Sequence, residues 1–406
     1  MSPDPAAPGR TPGDWPAWLD RRLDAIRAEG RWRAHRPFDA WGPRGVLEGR
    51  TVVAFASNDY LGLTTHPAVI DAARAALERW GAGSGAARLV VGDRPVHEEL
   101  EAELADWKQT ERAVLFPTGF AANLGVLTAL GGPGVRIVSD ALNHASIIDG
   151  ARLARAEVAI APHDDPAQLE RLVAEAPGPV LVVADTVFSM DGDALDEAAA
   201  VDVCRRHGAL LVLDEAHAVL GPEPTAAELD GVEVVRVGTL SKTLGSLGGF
   251  AACSERVADL LVNTARPAIF TTASTPADAA AGLAAVRVLR SDEGAALRAT
   301  LRAHVDRIRP GHPSPIVPVV VGGEDAAVAA AAALLERGLL VPAIRPPTVA
   351  PGTSRLRVTL SAAHTDHEVS RLLDALTELG LDPSADLAPS ASADPGAGPD
   401  RPAVGS

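Results

Sequence analysis

Lysine is almost absent from this 406-residue chain: of its 37 lysine and arginine side chains, only Lys108 and Lys242 are lysines. A guanidinium stays protonated and cannot form an imine, whereas a lysine amine can lose its proton when burial or neighbouring charge lowers its pKa. Each lysine is therefore a candidate for amine chemistry, set against the plainer reading that both survive an arginine-favouring composition. Cysteine is equally rare. Cys204 and Cys253 show neither metal-ligand spacing nor a disulfide framework, so reduced structural thiols are expected and no metal site is assigned. The formal charge of -16 comes without a basic stripe to neutralise phosphates, which argues against a nucleic-acid partner. No apolar run reaches membrane-spanning length and the first ten residues have no apolar signal core, so a cytoplasmic protein with no membrane partner is expected.

The company Lys242 keeps carries more. Residues 209–217 form a short apolar run that ends abruptly in Asp214, Glu215 and His217, the pattern of a buried parallel strand closing on ionisable side chains. A second run, 232–238, delivers Thr239 and Lys242 to the same edge. In open α/β sheets the carboxyl ends of strands face the ligand crevice, so an acid, a histidine and a lysine converge there. Pyridoxal phosphate enzymes need that set: a lysine for the imine, a carboxylate holding the pyridinium nitrogen protonated, and polar groups fixing the phenolate and phosphate. The bland alternative for Asp214 is a cap or turn residue after a strand.

Length favours one large and one small domain. Residues 1–14 and 383–406 are rich in proline and are expected to be disordered. Residues 15–50 read as an N-terminal helical segment, with an amphipathic helix over 15–36 carrying Trp18, Leu19, Leu23 and Ile26 on one side. Residues 51–275 form the expected large domain. Its strand-like runs, 113–116, 136–139, 158–161, 180–187, 210–213, 234–237 and 250–253, alternate with helices and predict a mostly parallel seven-stranded sheet covered on both faces. Residues 276–382 form a smaller α/β domain, with a helical region over 276–309 and strands at 316–321, 339–344 and 356–360.

Three loops fit the cofactor reading, each with a plainer alternative. Gly119 and Phe120 follow a strand and open a helix whose free N–H groups can hold a phosphate, although loop glycines more often serve tight turns. His144 starts the helix over 145–154, where it can stack on an aromatic cofactor or simply cap the helix. Residues 187–193 close a strand with polar side chains on a sharp turn, the ordinary form of a βα loop.

The ordered motifs Ser57-Asn-Asp-Tyr-Leu-Gly-Leu63, His97-Glu-Glu-Leu-Glu101, Thr118-Gly-Phe-Ala-Ala-Asn123, Asn143-His-Ala-Ser146, Phe188-Ser-Met-Asp-Gly-Asp193, Asp214-Glu-Ala-His217 and Thr239-Leu-Ser-Lys242 span most of the chain. Together they resemble the α-oxoamine synthases, fold type I pyridoxal-phosphate enzymes that join an amino acid to an acyl thioester with loss of carbon dioxide. Ala343-Ile-Arg-Pro-Pro-Thr-Val349 and the following Gly352-Thr-Ser-Arg-Leu-Arg-Val-Thr-Leu-Ser-Ala-Ala-His364 look most like the biotin-pathway members, which use L-alanine with pimeloyl-CoA or pimeloyl-acyl carrier protein.

The resemblance implies that Lys242 holds pyridoxal 5'-phosphate and moves the Cα proton, that Asp214 pairs with the ring nitrogen, that His217 reaches the ring hydroxyl and that His144 stacks on the ring. Gly119, Phe120 and Thr239 are implied to bind the phosphate, with Ser189 close to the ring. Thr271 and Thr272 resemble the segment that reaches a partner subunit's phosphate, implying a homodimer with shared sites. Substrate contacts are implied for Asn58, Arg33, Arg345, Thr348 and Arg357, with Arg355 the competitor of Arg357 for the α-carboxylate and a surface position the alternative for Arg33. A sister synthase using glycine or serine would share the cofactor residues. A catalytically silent partner subunit would not need Lys242, and an ordinary aminotransferase would not be expected to show the Asn143-His-Ala-Ser146 run.

Overall fold

The computed structural model describes residues 14–221 and 224–385. Of the two expected tails, only residue 14 and residues 383–385 are described; the rest lie outside the described residues. The central sheet has seven strands in the order Arg112–Phe116, Gly249–Cys253, Val234–Thr239, Leu210–Asp214, Val180–Asp185, Arg136–Asp140, Glu157–Ala161. All neighbours are parallel except Gly249–Cys253, which runs antiparallel to both of its partners.

Unbroken β-branched and leucine runs suit strands buried on both faces. Side-chain alternation confirms it: Val114, Phe116, Ala251 and Cys253 enter one hydrophobic core while Ala113, Leu115, Phe250 and Ala252 enter another. Four of the five strands paired in parallel end in Asp140, Asp185, Asp214 and Thr239, so one edge of the sheet collects these polar side chains. The strand expected over 180–187 stops at Asp185, after which the chain pairs with its own next segment: the Thr186 carbonyl accepts the Leu195 N–H at 3.0 Å and Val187 bridges Ala194.

Elsewhere local chemistry shortens or splits the expected elements. The first helix is Trp15–Ala28, not 15–36; Asp14 caps its start, and the chain leaves it through Gly30 at φ 63°. None of its residues is buried. Phe38–Trp41, Arg44–Leu47 and Arg50–Ala54 then form an antiparallel meander, so the segment expected to be helical contributes strands as well. The expected strand 339–344 is two strands in two sheets. Leu339–Leu340 pairs in parallel with Arg50–Ala54, and Ala343–Ile344 pairs with Ser354–Thr359, itself paired with Ile316–Gly322. Pro342, with no N–H to give, sits at the crossover. The region 276–309 is two helices, Pro276–Leu289 and Asp292–Ile308, the second capped by the Ser291 hydroxyl. Among the described residues, no helix is long and apolar enough to cross a membrane.

Candidate active site

Lys242 lies in a tight loop after the strand Val234–Thr239. The Thr239 hydroxyl donates to the Gly248 carbonyl at 3.0 Å and accepts the Ser241 N–H at 3.1 Å. Gly245, at φ 61°, returns its N–H to the Lys242 carbonyl at 3.0 Å; a Cβ there would lie 2.5 Å from the Thr64 nitrogen, so the position requires glycine. The Lys242 Nζ is 2.8 Å from His217 Nε2, and His217 Nδ1 is 2.5 Å from the Tyr60 hydroxyl. Tyr60 donates onward to Asn58 Oδ1 at 3.2 Å. The network thus assigns the His217 proton to Nδ1 and leaves Nε2 to accept from Lys242.

Asp214 is held rigidly beside this chain of bonds. Its Oδ2 accepts the Asn123 amide at 2.6 Å and its Oδ1 the Ala216 N–H at 3.0 Å. The same Asn123 amide donates to Ser146 Oγ at 2.9 Å, and Ser146 Oγ lies 2.7 Å from His144 Nδ1. The His144 ring caps the helix Ala145–Ala154, accepting the Ser146 N–H, while the His144 main-chain N–H donates to Asp185 Oδ2 at 2.7 Å. Capping therefore leaves the imidazole exposed at the site, edge-on to the half-exposed Phe120 ring at 6.3 Å.

Electrostatics favours neutral bases here. Burial pushes the Lys242 amine below its ordinary value, and Asp214 and Asp185 offset this only in part. Burial, with Lys242 and Arg357 nearby, pushes His217 well below the usual histidine range. Burial and the Asp214 charge push Asp185 well above the carboxylate range.

The phosphate candidates also meet. Thr118 caps the helix Gly119–Leu130 through the Ala121 N–H, and among the described residues the N–H groups of Gly119 and Phe120 find no acceptor. A Cβ at Gly119 would stand 3.1 Å from Thr239 Cβ, so these residues lie side by side at a helix N-terminus. Arg357 joins the Asn58–Tyr60–His217 chain: its guanidinium donates to the Ser189 carbonyl at 2.6 Å, Thr359 Oγ1 at 3.0 Å and Asn58 Oδ1 at 3.3 Å. Arg355 is occupied by an ion pair with Asp191. The structure does not bring every expected residue together. Thr271 donates to the Pro267 carbonyl and Thr272 is exposed on the surface. Arg33 is exposed and lies beyond the helix it was expected to occupy. Arg345 reaches the Gly30 carbonyl at 3.3 Å, and Thr348 is exposed.

Tyr60, Asn123, Ser146 and Asp185 were not singled out from sequence, yet they orient His217, Asp214 and His144. Tyr60 is the chain's single tyrosine, so the rarity that drew attention to Lys242 also marked it.

Residues 50–376 match the family model for aminotransferases of class I and II. An 8-amino-7-oxononanoate synthase from Burkholderia thailandensis is 47% identical over 382 residues, covering 89% of this chain and 97% of its own. The chain belongs to the 8-amino-7-oxononanoate synthase family. It is a fold type I enzyme, an acyltransferase dependent on pyridoxal phosphate. Among solved structures, Sphingomonas wittichii serine palmitoyltransferase is 31% identical with a TM-score of 0.82, covering 89% of this chain and 96% of that one. The Francisella tularensis 8-amino-7-oxononanoate synthase is 25% identical with a TM-score of 0.67, covering 80% and 97%. The residues present fit the family cofactor: a half-buried amine biased toward neutrality, a fixed carboxylate, an exposed imidazole face and open helix N–H groups lie on one sheet edge.

Proposed function

We propose that the protein condenses L-alanine with a pimeloyl thioester, carried by coenzyme A or an acyl carrier protein, to give 8-amino-7-oxononanoate and carbon dioxide for biotin biosynthesis. The observation that carries this reading is the near full-length identity to the Burkholderia synthase. Pyridoxal phosphate supplies, when bound, the electron sink that both loss of the Cα proton and decarboxylation require. Lys242 is the residue to hold it and to take and return the Cα proton, since an amine already pushed toward its neutral form is a competent base. Asp214, locked by Asn123 and the Ala216 N–H, keeps the ring-nitrogen proton in place. His217 holds the ring hydroxyl and His144 offers its ring face. Gly119, Phe120 and Thr239 cradle the phosphate, and Thr271 and Thr272 serve the phosphate of a second copy in a homodimer with shared sites.

Arg357 takes the α-carboxylate. Asn58, Thr359 and the Ser189 carbonyl fix its guanidinium, whereas Arg355 is spent on Asp191. Arg345 and Thr348, with Arg33 on the segment following Gly30, line the acyl site. The likeness to serine palmitoyltransferase supports a second reading, in which serine and a longer acyl thioester react at the same residues. Incubation of the holoenzyme with L-alanine, glycine or L-serine, each with pimeloyl-CoA or palmitoyl-CoA, and identification of products by mass separates them. Alanine with pimeloyl-CoA is expected to give 8-amino-7-oxononanoate; turnover only with serine and palmitoyl-CoA would overturn the first reading.

A further inference from the structure

The turn 188–193 is closed on itself by the Phe188 N–H to the Asp193 carbonyl at 3.0 Å and the Gly192 N–H to the Phe188 carbonyl at 2.7 Å. Its front is committed to the C-terminal part of the chain. The Ser189 carbonyl accepts from Arg357, Asp191 pairs with Arg355, and the Gly192 carbonyl accepts the Ser314 hydroxyl at 2.7 Å. Gly192 has φ 68°, and a Cβ on it would stand 1.9 Å from the Ile316 carbonyl oxygen, so the position requires glycine and the turn packs directly against the Ile316 backbone.

Its back meets His163. His163 Nε2 lies 2.7 Å from Asp193 Oδ2, His163 Nδ1 lies 3.1 Å from Asp140 Oδ2, and the ring stands edge-on to Phe188 at 4.3 Å. Asp140 terminates a central strand, so the imidazole ties the turn to the sheet. A carboxylate at each ring nitrogen calls for both N–H groups, which only the imidazolium provides. Its charge also opposes the mutual repulsion of Asp191 and Asp193.

We infer that His163, clamped between Asp140 and Asp193, is a positioning residue that sets the 188–193 turn and through the Ser189 carbonyl holds Arg357 in register for the substrate carboxylate. The inference rests on the carboxylate role given to Arg357 above. Because the link to Arg357 is a main-chain carbonyl, a small displacement of the turn moves the guanidinium without deleting any group that touches substrate, and a misplacement of about 1 Å can cost on the order of 100-fold.

The test compares His163→Gln, Asp193→Asn and Arg357→Gln in the full-length holoenzyme. Two ligands are titrated by the change they cause in the cofactor's visible absorbance: L-alanine, and alaninamide, which lacks the carboxylate. Asp193→Asn decides the matter if His163→Gln does not fold. The expected result is a roughly 10- to 100-fold loss of alanine affinity in all three variants, an alaninamide affinity within about twofold of the parent, and an unchanged KM for pimeloyl-CoA. Equal weakening of alanine and alaninamide in the His163 and Asp193 variants would reduce His163 to general scaffolding and overturn the inference. So would parental alanine affinity in those variants while Arg357→Gln is impaired. Parental alanine affinity in Arg357→Gln removes the carboxylate reading itself, and the inference with it.

Discussion

Lys108 is buried and Lys242 half-buried, and each touches a side chain of the segment 214–217, yet their partners differ in charge. Lys242 meets the uncharged edge of His217. Lys108 meets a carboxylate: its Nζ is 2.8 Å from Glu215 Oε2 and stands over the Trp107 ring at 3.7 Å, while Arg236 Nε approaches the other Glu215 oxygen at 2.5 Å. Burial alone would raise the Glu215 carboxyl, but Lys108 and Arg236 outweigh it and hold it below the usual range. The histidines repeat the contrast. His364, stacked on Phe55 at 4.2 Å with the Ala54 carbonyl at its Nε2, is pushed down by burial to about 4. Burial also opposes the charge on His163, but Asp140 and Asp193 prevail and raise it to about 10. A base withdrawn from water in this fold is pushed toward its neutral form unless a carboxylate has been placed on it, and Lys242 has no direct carboxylate contact among the described residues.

The largest test of that contrast is Lys242→Ala, expected to lower turnover by about 1,000-fold or more while leaving the fold intact; product formation beside a thermal melt measures both, and near-parental activity would overturn the assignment. Lys108→Met is expected to do the reverse, costing about 3 kcal/mol of stability by unbalancing Glu215, read from urea unfolding, with the cofactor-bound absorbance retained in the folded fraction. Should Lys108→Met unfold no more easily than the parent, the buried pair is not the structural counterpart of Lys242.

Acid supplies the third test. The folded pKa of His364, about 4, lies below that of the unfolded chain, so the unfolded state binds the proton first. Its contribution is whole above pH 6.5 and is lost as the pH falls through 4, up to about 3 kcal/mol. His364→Gln should flatten that part of the stability profile. His163 has the opposite sign: its contribution is whole below pH 6.5 and is lost as the pH rises through about 10, which His163→Gln should likewise flatten. The smallest effect belongs to a pair outside the core. Breaking the exposed Arg74–Asp71 pair with Arg74→Gln should shift the melting temperature by no more than about one degree.

The parts of this molecule that could be read from sequence are those where one residue type answers one local demand. Continuous Val and Leu runs marked the buried strands, and the abrupt change at Asp214 marked a strand end facing the crevice. Lys242, Asp214 and His217 could be placed because each follows such a run. The reversed direction of Gly249–Cys253 could not, because an apolar pentapeptide reads alike either way. Nor could the split at Pro342, since the two halves find partners in different sheets only after the chain has folded. The orienting residues were hidden for a similar reason: Tyr60 is 157 residues from His217, and Asn123 is 91 from Asp214. Arg355 and Arg357 were equivalent by spacing, and only in the fold does Arg355 meet Asp191, which no local pattern connects to either.

The pairing of Leu339–Leu340 with Arg50–Ala54 has a consequence for synthesis. The meander begun at Phe38 gains its fourth strand only when the chain has grown past residue 340. At roughly 5–20 residues per second, that leaves one edge of the meander waiting on the order of 15 to 60 s on the ribosome, and the exposed backbone of Arg50–Ala54 is where a nascent chain would need shielding.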